Sequence, residues 1–138
     1  MSADASLNSG LLSRFEQLTT HRAEHVAIED DREKLSFGEL GIHARRVAKA
    51  LQDRGLQGKR IAMLVTQSAR WVETFYGIVL ASGVVVPLSH LHPENEQRYF
   101  VEASDAEALI VSDEFRGSIS SYSPGRTVLS IDEMRHAG

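Results

Sequence analysis

The sequence predicts an α/β fold, a mainly parallel, doubly wound sheet flanked by helices, and two features carry that expectation. Short apolar runs read as strands: RIAMLV at 60–65, VVVPL at 84–88 and ALIV at 108–111. The first has no polar alternation, the pattern of a strand covered on both faces. Between these runs lie segments of ten or more residues with helical periodicity, long enough for right-handed β-α-β crossovers.

From the start of the chain, residues 1–10 are small and polar and are expected to be flexible. Leu11, Leu12, Phe15 and Leu18 then recur at helical spacing, and that helix fades at Thr20 and His21. Two short strands, 26–29 and 33–36, flank the polar turn Asp30-Asp31-Arg32 and predict a hairpin. Ser36 and Glu39 form a Ser-x-x-Glu capping box. Phe37, Leu40, Ala44, Val47, Ala48 and Leu51 follow on one face until Gly55 stops the helix.

After the strand at 60–65, Gln67-Ser68 leads into a helix through Trp71, Phe75, Tyr76 and Val79 that ends at Gly83. The stretch 71–88 is about as long as a bilayer span. Glu73, Ser82, Gly83 and Pro87 interrupt it, so helix, turn and buried strand are expected instead, with no membrane span. Pro93 opens a further helix whose buried face is expected to be Tyr99, Phe100 and Ala103. Strands at 108–111 and 127–131 complete the sheet, separated by an ordinary Ser- and Gly-rich loop over 116–125. Ser130 and Glu133 then form a second Ser-x-x-Glu helix start.

The 138 residues are 42% apolar and 25% charged, which fits one α/β unit, residues 1–138, able to bury a core without covalent staples. With no cysteine, there is no disulfide framework, thiolate zinc site, iron–sulfur cluster or cysteine nucleophile, and a cytoplasmic location is expected. A net charge of -4 with interspersed signs argues against a nucleic-acid partner and an anionic membrane surface.

Ligands of such sheets bind at the carboxyl ends of the strands, so chemistry is sought there. Asp30 and Asp31 suggest a receiver-type acidic pair. Thr66, not an aspartate, ends the next strand, and no lysine completes such a pocket, so the pair is read as a solvated turn. Gly38-x-x-Gly41 lies inside a helix and Gly55-x-x-Gly58 in a turn. Neither belongs to a phosphate-cradling Gly-x-Gly-x-x-Gly or Walker sequence. Gly-x-Ser-x-Gly and His-Glu-x-x-His are absent as well. His90 and His92, with Glu94 or Glu96, have a spacing a metal could use, but a loop with exposed histidines explains them equally. Arg45, Arg46 and Lys49 are read as a solvated basic flank, and Trp71, Phe75 and Tyr76 as core. No catalytic, cofactor-binding or metal-binding residue is assigned.

Two segments, in order, resemble the adenylate-forming (AMP-dependent) acyl-CoA synthetase and ligase superfamily. Leu35-Ser36-Phe37-Gly38-Glu39-Leu40 looks like that family's L-[ST]-[YF]-x-E-L segment. VLASGVVVPLS at 79–89 looks like its helix end, glycine and strand carrying V-P-[LI]. RIAMLVTQSARWVETFYGI between them, and HPENEQRYFVEASDAEALIVSDEF after them, fit the family's helices and strands, so the resemblance runs from about Phe15 to Asp132. The wording at 90–104 is most similar to the branch handling fatty and short dicarboxylic acids.

The resemblance implies the amino-terminal part of the large domain of an acid–CoA ligase (AMP-forming). Such an enzyme joins a carboxylate to ATP, releases pyrophosphate, and passes the acyl group to coenzyme A. ATP, Mg2+ and coenzyme A are the cofactors it implies for the full-length enzyme. The Ser/Thr/Gly-rich phosphate loop with its lysine has no matching position among these residues, so the chain is expected to be a fragment, inactive alone and binding none of these cofactors by itself. Its implied partner is the remainder of the synthetase or a related chain, with self-association possible. The alternative is a stand-alone regulatory or partner-binding module derived from that family.

Overall fold

The computed structural model describes residues 3–136, with side chains over residues 10–135. Its order is helix α1 (Ala3–His21), strands β1 (Val26–Glu29) and β2 (Lys34–Ser36), helix α2 (Phe37–Asp53), β3 (Arg60–Leu64), α3 (Ala69–Leu80), β4 (Val84–Pro87), α4 (Glu94–Ser104), β5 (Ala108–Val111), a 3-10 turn (Asp113–Ser118), β6 (Thr127–Ser130) and α5 (Ile131–His136). β1 and β2 pair antiparallel as a hairpin. The other four strands form a parallel sheet in the order β4-β3-β5-β6, with Ile61 opposite Val85 on one side and Ala108 on the other.

The sheet is doubly wound because alternate side chains of each strand meet different layers. Ile61, Met63 and Val65 point into a core shared with Val47, Leu51 and Ile78 of α2 and α3. Ala62 and Leu64 point the other way, toward Val101 of α4 and toward Ile119 and Tyr122. Burial on both faces explains why β3 reads as unbroken apolar sequence. A third cluster, Phe15 with Leu40 and Ala44, fastens α1 to α2.

The α2 capping box forms as expected. Glu39 donates its backbone N–H to the Ser36 hydroxyl at 3.1 Å, and the Ser36 N–H returns to the Glu39 carboxylate at 3.0 Å. Gly77 brings α3 against α2 more closely than any side chain would permit, since a Cβ there would stand 2.4 Å from the Val47 Cβ. Asp105 closes α4 in the left-handed conformation, φ 60°.

Four expectations need correction. α1 begins at Ala3, ahead of Leu11 where its helical spacing starts; the added residues include no proline, and a single Gly10 costs only about 1 kcal/mol. α4 does not bury Tyr99, Phe100 and Ala103, which are exposed; it turns Gln97 and Val101 inward. That is possible because the Gln97 amide donates to the backbone carbonyls of Ser89 and His92, both at 3.0 Å, and accepts the Tyr122 hydroxyl at 2.7 Å. A fully bonded glutamine can occupy a core position. The segment 116–125 is likewise more than a surface loop, since Ile119 and Tyr122 are buried beneath the sheet. Lastly, β6 stops at Ser130, one residue early, because Ile131 starts α5.

Candidate functional site

β3 divides the carboxyl edge of the sheet. Its exit passes to α3 on one face, whereas the chain leaving β4 and β5 passes to the other, and such a split opens a crevice above the strand ends. Two clefts flank β3 there. Between β3 and β4 a cleft of about 310 Å³ is lined by Gln67, Trp71, Pro87, His90, His92 and Phe100. Between β3 and β5 a polar cleft of about 270 Å³ is lined by Arg32, Thr66, Ser68, Arg70, Asp113 and Asp132, with Glu114 at its rim.

In the polar cleft nearly every group already has a partner. Thr66 donates its N–H to the Ser112 hydroxyl at 3.0 Å, and its own hydroxyl bonds Glu114. The Ser130 hydroxyl donates to Asp113 at 2.6 Å, and the Asp113 N–H donates to Asp132 at 2.8 Å. Arg70 Nε stands 3.2 Å from Asp132. The second Ser-x-x-Glu start forms only in half. Ser130 accepts the Glu133 N–H at 3.0 Å, but the Glu133 carboxylate pairs with Arg116 at 3.1 Å.

Asp30, read as a solvated turn residue, also reaches across the chain. One carboxylate oxygen accepts the N–H groups of Arg32 and Glu33, at 2.8 and 2.9 Å, and the other accepts the N–H of Ala69 at 2.8 Å, in the first turn of α3. Those backbone donors, Ala69 foremost, hold its pKa below the usual aspartate value. Asp31 is exposed and takes no part.

His90 and His92 line one cleft but are spent on aromatic neighbours. The His90 ring stacks on Phe115 at 5.1 Å, and His92 lies 6.0 Å from Phe100. Among the described residues no group of three His, Cys, Asp or Glu side chains is placed to hold a metal ion. Gly38 and Gly41 pack α2 on Ala23 and Thr19, while Gly55 and Gly58 adopt φ of 71° and 77° in the turn before β3. Trp71 and Phe75 stack on each other and lie partly buried against the α2–α3 core; Tyr76 stacks on Phe15 at 4.3 Å. Of the basic flank, Arg45 and Lys49 are exposed. Arg46 is a correction: half-buried, it donates to the Arg135 carbonyl at 3.3 Å.

The charged centre that sequence reasoning missed lies behind this edge. Glu73, 1% exposed, receives Arg135 Nε on both oxygens at 2.8 and 3.0 Å, and Arg135 Nη2 reaches Glu33 at 2.8 Å. The signal was visible, because Glu73 is the one charge in the apolar stretch 71–88.

Neither cleft suits a nucleoside triphosphate and its Mg2+. The β3–β5 cleft presents the carboxylates of Asp113, Glu114 and Asp132, which repel phosphate, its Arg70 Nε is ion-paired to Asp132 without a hydrogen bond, and among the described residues no lysine lines either cleft. Among the described residues no helix is long and apolar enough to cross a membrane.

Comparison with known proteins agrees with the fold. Gramicidin S synthase 2 of Brevibacillus brevis is 29% identical over 123 residues, which is 88% of this chain and 3% of that protein. The benzoate CoA ligase of Burkholderia xenovorans LB400 superposes with a TM-score of 0.82 at 25% identity, covering 91% of this chain and 28% of the ligase. The anthranilate CoA ligase AuaEII, in complex with anthranoyl-AMP, gives 0.78 at 27% identity, over 86% of this chain and 24% of the ligase. The chain thus spans about a third or less of the proteins it is similar to. Residues 15–136, nearly all of the sequence, match the AMP-binding enzyme family, and the chain belongs to that family.

Proposed function

We propose that these residues are the amino-terminal scaffold of an adenylate-forming ligase, which activates a carboxylate with ATP and transfers the acyl group, and that they have no adenylating activity alone. One observation carries this reading. The β3–β5 cleft is lined by the carboxylates of Asp113, Glu114 and Asp132 with Arg70 ion-paired to Asp132, the β3–β4 cleft offers no Lys or Arg, and the sequence contains no glycine-rich phosphate loop. Stabilising the charge that develops as ATP gives up pyrophosphate requires donors aimed at the phosphates and a bound metal. In this proposal those groups, with coenzyme A or another acyl acceptor, meet the ligase on polypeptide other than these 138 residues, and this unit supplies the sheet on which they are mounted.

The substrate class proposed is a carboxylic acid. A fatty or short dicarboxylic acid rests on residues 90–104 alone. The test is ATP–pyrophosphate exchange with a panel of fatty, dicarboxylic, aromatic and amino acids, together with a thermal shift in ATP and Mg2+. The isolated chain is expected to give no exchange above blank and no shift. Exchange that copurifies with the chain through successive columns would overturn the proposal.

A further inference from the structure

The Arg135 guanidinium sits in a socket built from three distant segments. Its Nε faces both oxygens of Glu73 on α3, its Nη2 bonds Glu33 in the hairpin 102 residues earlier, and its own carbonyl accepts Arg46 of α2. Arg135 is 11% exposed and Glu73 1%, so the pair is cut off from bulk water and neither charge can lose its partner cheaply. Beside it lies His43 of α2, whose Nδ1 is buried, has no hydrogen-bond partner among the described residues, and stands 4.0 Å from Glu73 Oε2. A buried imidazole nitrogen left without a partner next to a salt bridge is a poised proton acceptor.

We infer that this socket is an acid-releasable latch: Arg135 holds the last turn of α5 on α3 and the hairpin, and a proton on His43 loosens that turn while the sheet stays folded. The charges around His43 set the direction. Arg46 and Glu39 lie on its own helix, Glu33 comes from the hairpin, Glu73 from α3 and Arg135 from α5, while α1 meets α2 through uncharged Phe15 and Thr19. Burial, then Arg135 and Arg46, hold the imidazole pKa below its ordinary value of 6.5, outweighing Glu33 and Glu39. His43 therefore takes up a proton less readily in the latched state than when the latch opens, so latching weakens as pH falls through 6.5. Once protonated, Nδ1 also competes with Arg135 for Glu73. Burial raises the Glu73 pKa, an effect of opposite sign that favours the latched state as pH falls through that raised value and is complete below the ordinary 4.5, so it subtracts from the His43 effect.

Amide hydrogen exchange on the whole chain, expressed as protection factors at Met134 and Arg135 with Leu51 of α2 as internal reference, tests the inference. Between about pH 7.5 and about pH 5.5, protection at Met134 and Arg135 is expected to fall several-fold, with about tenfold as the ceiling for one histidine, while Leu51 holds. His43→Gln should abolish that fall, and Glu73→Gln should leave the last turn unprotected at every pH. Should Glu73→Gln unfold, the His43→Gln comparison decides alone. A last turn equally protected at both pH values, or an acid loss that His43→Gln retains, would overturn the inference.

Discussion

Single side chains tie together parts of this chain that lie far apart in sequence. Asp30 is a turn residue by type and position, yet one of its oxygens receives a backbone N–H from the start of α3. Asp30→Ala is expected to lower unfolding free energy by about 1 kcal/mol, with Asp30→Asn losing less, in urea titrations followed by circular dichroism. Gly77 works by having no side chain at all. Gly77→Ala should cost about 2 kcal/mol in the same assay, because the added methyl group meets Val47 and the Ala44 carbonyl, which belong to a helix that cannot retreat without uncovering the sheet. Neither role is local. A window around Asp30 contains only its turn, and a glycine within an amphipathic helix carries no mark of what approaches it.

At the level of elements, the sequence was most legible where one local rule decided the outcome. The capping box set the start of α2, the glycine before the β-branched run set the start of β4, and unbroken apolar sequence marked β3 as buried on both faces. It was misleading in α4, where the apolar Tyr99 and Phe100 are exposed and the polar Gln97 is buried beside Val101. Hydrophobicity predicts burial of surface, but not a polar side chain whose whole hydrogen-bonding capacity is met inside. The buried Glu73–Arg135 pair escaped notice for the same reason, since its partners come from α3 and α5 and are brought together only by the finished sheet. Gln97→Leu is expected to destabilise the chain by about 2 kcal/mol in chemical denaturation, despite the gain in hydrophobicity, because it strips partners from the Tyr122 hydroxyl and two carbonyls.

For the whole molecule these groups shape the dependence of stability on pH. The pKa values of Asp30 and Glu39 are held down by backbone donors, so their contributions are present above their unfolded values of 3.8 and 4.5 and are lost as pH falls below them. Tyr122 bounds the alkaline side. Burial pushes its hydroxyl up to about 12 from 10.0, so its contribution is complete below 10.0 and disappears as pH rises through about 12. Thermal melts across pH should show both limbs, and Tyr122→Phe should flatten the alkaline one while leaving the acid one in place. The candidate site itself was legible only as an absence of motif. The clefts that flank β3 follow from strand order, which no stretch of sequence displays.

Strand order also governs how the protein is made. Both strands that pair with β3 lie downstream, with β4 about twenty residues later and β5 nearly fifty. As the polypeptide leaves the ribosome, an apolar strand that α2 can cover on one face must therefore wait, with both edges unpaired and the other face open, until its neighbours have been synthesised. Translation speed through residues 65–111, and the chaperones at hand during that interval, thus govern the yield of folded protein.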